Sequence, residues 1–288
     1  MAAMIIVIVV VATHLPKTSE RITRPIFSVS GIDGIDMVIK SVGVTDLVAL
    51  SDRIEPIRAA VLPHHTLVGD ELDTWWATIA QSNLKPSVIV IVGPNHENAG
   101  KADVQITHGV WTTPFGDVET EHALVDQLLK TGAVGNEPTS FINEHAIGTH
   151  APYIAEWFPG VPIVPVIAKS GADQDDARAF ERQLEALLPP DTLVIASIDF
   201  SHYLNQEDTA AMDAETMKLI NNRDYDHIAT LHSDHLDTPF AMITYLLWTD
   251  HHNYTTDLIS HSSSHEVLHD ANVPGTSYFV YYSELGVY

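Results

Sequence analysis

The segment Val88-Ile89-Val90-Ile91-Val92-Gly93-Pro94-Asn95-His96 constrains the fold of this chain more than any other. A run of β-branched residues closed by Gly-Pro reads as a buried strand ending in a tight turn, which aims His96 into a crevice at the strand's carboxyl end. Two further segments share this grammar: Ala59-Ala60-Val61-Leu62-Pro63-His64-His65 and Thr192-Leu193-Val194-Ile195-Ala196-Ser197-Ile198-Asp199-Phe200-Ser201-His202. Taken singly, a histidine behind a strand is most simply a loop or core residue. In an open α/β sheet, however, the strand carboxyl ends share one edge, and side chains distant in sequence converge there.

Composition narrows the chemistry. The chain has 17 histidines and no cysteine, which excludes disulfides, thiolate nucleophiles and Cys-based zinc or iron–sulfur sites. Any metal must be held by imidazole and carboxylate, a donor set that suits iron, zinc, copper, nickel or manganese. With 14 basic residues against 38 acidic ones the formal net charge is −24, which argues against a nucleic-acid partner and against anionic membrane surfaces. A length of 288 residues with 45% hydrophobic content is ample for a sizeable core. No repeat, Gly/Ser linker or break in composition divides the chain, so a single domain is the economical reading.

Met4 to Ala12 is the most apolar run. It is too short for a spanning helix, which needs about 20 apolar residues. Its length fits the apolar core of a signal peptide, but no Lys or Arg precedes it. A buried first strand and an export or anchor segment both remain open, so the chain is either cytoplasmic or exported or anchored through residues 4–12. Residues 1–50 are read as an N-terminal extension, and 16–51 as loop with at most one short element.

From residue 51 onward an α/β domain is expected. Leu67 to Ser82 has helical apolar recurrence, which gives a strand, helix, strand order and a parallel pairing with a right-handed crossover. Pro114 and Gly116 mark a turn between short strands. Glu121 to Thr131 is an amphipathic helix with Leu124, Leu128 and Leu129 inward and Gly132 as its stop. Val161–Ala168 and Leu193–Ile198 are strands, and Ala177–Leu188 and Asp208–Asn221 are helices. Thr238 and Pro239 start a helix over Phe240–Trp248, and Ser277–Tyr282 is a closing strand.

The ordered set Pro63-His64, Gly93-Pro94-Asn95-His96, Trp111-Thr112-Thr113-Pro114-Phe115-Gly116-Asp117-Val118, Asn143-Glu144-His145 and Ser197-Ile198-Asp199-Phe200-Ser201-His202 resembles the Memo family. Its prokaryotic members are called AmmeMemoRadiSam system protein B. The resemblance covers roughly residues 59 to 285 and implies a fold similar to the class III extradiol ring-cleaving dioxygenases: a central mixed, largely parallel sheet with helices on both faces. It further implies that His64 and His96 are metal ligands. The third ligand position in Memo proteins is a Cys a few residues before a Pro-initiated helix. Counting back from Pro239 puts that position at His235, which would give a three-imidazole site for iron, copper or zinc. Water, Asp234 or Glu144 are the alternatives.

His202 falls where ring-cleaving relatives place an acid/base histidine, with Asp199 placed to orient its ring or tune its pKa. Glu144 and His145 read as outer or substrate-facing groups, ahead of His65 and His150. Departures from the family include His65-Thr66-Leu67-Val68-Gly69 in place of Ala-Gly-Tyr after the first histidine, so the substrate does not carry over. The expectations are therefore a metal-dependent enzyme, redox with iron or copper and hydrolytic with zinc, acting on a small-molecule or peptide substrate. A non-catalytic scaffold for radical-SAM and AMMECR-type proteins stands as the alternative. A true extradiol dioxygenase ranks below both, for want of a clear Glu ligand.

Overall fold

The computed structural model describes residues 56–286. The readings for Met4–Ala12, for 16–51 and for a boundary at residue 50 lie outside the described residues. The strands are β1 (Ile57–Leu62), β2 (Ile89–Pro94), β3 (Val104–Ile106), β4 (Trp111–Thr113), β5 (Gly116–Val118), β6 (Gly135–Asn136), β7 (Ile163–Ala168), β8 (Leu193–Ser197), β9 (Phe200–Leu204), β10 (Tyr254–Ser263) and β11 (Gly275–Leu285). The helices are α1 (Gly69–Gln81), α2 (His122–Thr131), α3 (His145–Gly148), α4 (Ala151–Trp157), α5 (Gln174–Leu187), α6 (Gln206–Asn221), α7 (Tyr225–Ile228), α8 (Pro239–His251) and α9 (Ser264–Leu268).

Strand order in the main sheet is β10-β11-β1-β8-β2-β7-β3-β6, with β9 pairing β11 off this path. The central run β1-β8-β2-β7 is parallel throughout, and β11 and β3 flank it antiparallel. The expected unit β1-α1-β2 is present, but β8 lies between its two strands and pairs with both. All five residues of β8 are buried, so a central place satisfies its backbone on both sides and its apolar side chains on both faces.

Side chains alternate between two apolar layers. Val61, Val90, Val92 and Val194 face a layer completed by Phe180 and Leu184 of α5 and Phe240 of α8. Ala60, Leu62, Ile89 and Ile91 face the other, with Leu72 and Trp76 of α1 and Ile154 of α4. Continuous apolar strands with helices on both faces are the expected signature of a largely parallel sheet. The mixed α/β sheet implied by the family resemblance is thus the one observed.

Local differences have local causes. Val125 and Leu128 are the fully buried residues of α2, with Leu124 and Leu129 packed at the margin, so the inner stripe is turned by about one position from the expected one. Gly132 ends that helix in the left-handed conformation, as its sequence suggests. β10 has no counterpart in the sequence reading because it pairs only with β11 and leaves several side chains in solvent, so its apolar signal is weak. Among the described residues no helix is long and apolar enough to cross a membrane.

Candidate metal centre

His64, His96 and Asp199 each lie two residues beyond the end of a parallel strand, respectively β1, β2 and β8. Leu62 is the register partner of Ser197, and Val92 of Ala196, so the three strands end nearly level and release their polar residues at one edge. The turn before α3 reaches the same edge because residue 93 is glycine: a Cβ there would lie 2.8 Å from the Ala146 Cβ. That close approach places Glu144 and His145 beside His96.

Glu144 is buried and its carboxylate is fully used. It accepts from the Ala146 N–H at 2.8 Å, capping α3, from the His96 N–H at 2.8 Å, and from His96 Nδ1 at 2.8 Å. Burial would raise its pKa, but the bond from the His96 ring, the charge of that ring and the two N–H donors outweigh this and hold it below the ordinary carboxylate range. A carboxylate only accepts, so His96 carries its proton on Nδ1 and presents the Nε2 lone pair to the site.

His64 is oriented by a longer chain. The Trp76 indole N–H donates to His150 Nδ1 at 3.2 Å, so His150 must carry its proton on Nε2, which lies 3.0 Å from Ser197 Oγ. The Ser197 hydroxyl donates to the Ala146 carbonyl at 2.7 Å, which leaves Oγ as an acceptor for both His150 and His64 Nδ1, the latter at 2.9 Å. His64 is thereby protonated on Nδ1, and its Nε2, buried and without a hydrogen-bond partner, faces outward to the carboxylates. Asp237 Oδ2 lies 3.1 Å from that nitrogen and Asp199 Oδ2 3.7 Å. Burial opposes a charge on His64, but Asp199 and Asp237, helped by Glu144, raise its pKa from 6.5 to about 9.

One ring nitrogen each of His64, His96 and His145 lie within 4.8 Å of one another, and His145 stacks on His96 at 4.2 Å between ring centroids. Desolvation, then the charges of His64 and His96, push His145 down to about 4. Asp237 Oδ2 is 4.0 Å from His96 Nε2 as well as 3.1 Å from His64 Nε2. Donors sharing one ion through bonds of about 2.0–2.2 Å stand roughly 3–4 Å apart. The unpartnered His64 nitrogen and the adjacent carboxylate thus fit a divalent transition metal, which would satisfy both.

Two of the expected side chains make other contacts. His235 is not part of this group: residues 232–236 form a closed turn, with the His235 and Leu236 N–H groups both donating to the His232 carbonyl. That turn carries the His235 ring to Glu215 of α6, at 3.6 Å, and to Asp234, at 3.2 Å. Asp199 does not hold His202 either. The His202 Nδ1–H donates to the Ser233 carbonyl at 3.0 Å, while Asp199 accepts from the His64 N–H at 3.0 Å. Burial opposes ionisation of Asp199, but the charges of His64, His65 and His202 hold its pKa down, which places His202 within electrostatic reach of the site.

Asp237 and Ser197 are the residues that sequence reasoning passed over. Asp237 stands directly before the Thr238-Pro239 helix start, two residues beyond the position counted for a ligand, and its own N–H is tied to the Asp199 carbonyl at 3.1 Å. Ser197 lies within an apolar run, Leu193–Ile198, where nothing but structure shows a hydroxyl shared by two imidazoles.

Residues 39–272 match the family model described as Memo-like protein. Among curated relatives, a MEMO1 family protein of Caldivirga maquilingensis is 32% identical over 51% of this chain and 54% of its own length. One from Thermotoga petrophila is 34% identical over 49% and 51%, and one from Methanopyrus kandleri 29% identical over 63% and 66%. The matched stretch thus spans about half the length of the first two relatives. Among solved structures, an uncharacterized protein of Escherichia coli K12 aligns with a TM-score of 0.50 at 14% identity, over 78% of this chain and 99% of that one, a likeness of fold alone.

Proposed function

The chain belongs to the Memo-like family, and from that premise we propose that it is a metal-dependent enzyme whose ion is held by His64, His96 and Asp237, with His145 beside it. The observation that carries this reading is the meeting of two Nε2 atoms, each turned to the site by a hydrogen bond on the opposite ring nitrogen, with one carboxylate oxygen 3.1 and 4.0 Å away. Two imidazoles and one carboxylate would hold the ion, the donor set used by non-haem ferrous oxygenases. Iron there would supply redox chemistry with dioxygen. Zinc would supply a water ionising near neutrality instead.

The protein's own groups have separable tasks. Glu144 and Ser197 hold the two ligand rings in one tautomer, so no reorganisation is needed as the ion binds. His202, with its Nδ1 proton committed to a carbonyl, has Nε2 free to accept a proton from a small-molecule or peptide substrate, the role of a general base. Elemental analysis of untagged protein tests the proposal. Iron or copper supports the redox reading and zinc moves it to hydrolysis. Protein that takes up none of the three contradicts it and favours a scaffold role with radical-SAM or AMMECR-type partners.

A further inference from the structure

The helices on one face of the sheet carry a second set of nitrogen and oxygen donors. Glu181 and Glu185 are one turn apart on α5 and share a face of that helix. His251 is the last residue of α8, and His252 caps it. Glu181 Oε1 lies 3.3 Å from His251 Nδ1, Glu185 Oε1 3.5 Å from His251 Nε2, and Glu185 Oε2 3.0 Å from His252 Nε2. One atom each from Glu181, Glu185 and His251 lie within 4.8 Å of one another.

Two features separate this cluster from an ordinary surface ion pair. Glu181 is only 6% exposed, and its Oε1, together with Glu185 Oε2 and His252 Nε2, is buried without a hydrogen-bond partner. These oxygens face only the neighbouring imidazole nitrogens, at 3.3 and 3.0 Å, and a cation bound among them would satisfy the buried charge more fully than the rings do. The spacing also admits an ion: a single ring nitrogen of His251 and one oxygen each of Glu181 and Glu185 lie within 4.8 Å of one another, near enough to close around a cation bound at about 2.1 Å. The His252 ring is set in advance by packing on Trp248, 4.3 Å between centroids, and on Tyr254, 5.1 Å.

We propose that Glu181, Glu185 and His251, with His252 as a fourth donor, form a second site for a zinc-class divalent ion that clips the end of α8 to α5. Its chemistry is structural: two carboxylates and two imidazoles saturate a tetrahedral ion and leave no position for substrate. The site is independent of the sheet-edge centre, so each can fail without the other.

The test is zinc titration of the metal-stripped full chain by calorimetry, with thermal unfolding followed in parallel. A His64→Gln/His96→Gln variant isolates the second site; it should still bind one zinc and melt higher with zinc than without. Adding His251→Gln, or Glu185→Gln, should abolish both effects. A His64→Gln/His96→Gln protein that binds no zinc, or one whose binding survives these additional substitutions, overturns the proposal. Should the combined variants fail to fold, anomalous scattering at the zinc edge from wild-type crystals decides: a peak among Glu181, Glu185 and His251 supports the site, and its absence at saturating zinc refutes it.

Discussion

Asp237 Oδ2 stands 3.1 Å from the buried His64 Nε2. With Nδ1 protonated towards Ser197, a neutral His64 would aim a lone pair at a carboxylate, an arrangement that repels. Either a proton or a metal ion must lie between them. This choice is the physical basis of the proposed metal site at the sheet edge.

One consequence is a proton released on metal binding. Without metal, the pKa of His64 is raised from 6.5 to about 9. The stabilisation from that raised pKa is fully present below pH 6.5 and is lost as pH climbs through about 9. At pH 7.5 zinc or iron must displace this proton, so about one proton should be released from His64 per ion bound. Calorimetry in buffers of differing ionisation heat measures it, and the metal-free protein should lose stability between pH 6.5 and 9. Release indistinguishable from zero would show that His64 is neutral beforehand.

Glu144→Gln tests how far orientation matters. The amide oxygen can still accept from His96 Nδ1 and the Ala146 N–H, but the other acceptor becomes a donor facing the His96 N–H, and the carboxylate charge is gone. Loss of such an outer partner lowers metal affinity by about 10–100-fold. Competition with a chelator of known affinity reads this out. An unchanged affinity would mean that the rest of the pocket alone fixes the His96 ring.

Gly93→Ala should damage the site through packing alone. The new Cβ would come within 2.8 Å of the Ala146 Cβ, pushing α3 away from β2 and carrying Glu144 and His145 with it. Overpacking of this kind costs about 1–3 kcal/mol. Ala146→Gly in the same chain should recover part of the loss, since it removes the atom that clashes. Denaturant unfolding of the single and double variants measures both terms, and full additivity would contradict the contact.

Much of the fold could be read from the residues because parallel strands are apolar on both faces. The runs ending at Leu62, Pro94 and Ser197 announce themselves for that reason. Insertion of β8 between β1 and β2 was not legible, since strand order depends on which helices cover which face. At the candidate site, the placement of His64 and His96 follows from the strand ends, whereas which side chain joins them depends on the conformation of a seven-residue loop, 232–238. Spacing from Pro239 pointed to His235, but the tight turn on the His232 carbonyl rotates that ring to α6 and leaves Asp237 at the pocket. A count of residues cannot see a turn that hydrogen bonds close.

The most direct measurement compares metal content in Asp237→Asn and His235→Gln, each purified untagged and loaded alongside wild type, with Glu181→Gln/His251→Gln in the background so that only the sheet-edge centre is counted. Asp237→Asn should lose most of its metal, by more than the about 10–100-fold weakening expected for an outer partner, while His235→Gln retains the wild-type amount. Full retention in Asp237→Asn together with loss in His235→Gln would contradict the account, returning the third ligand to the turn on α6.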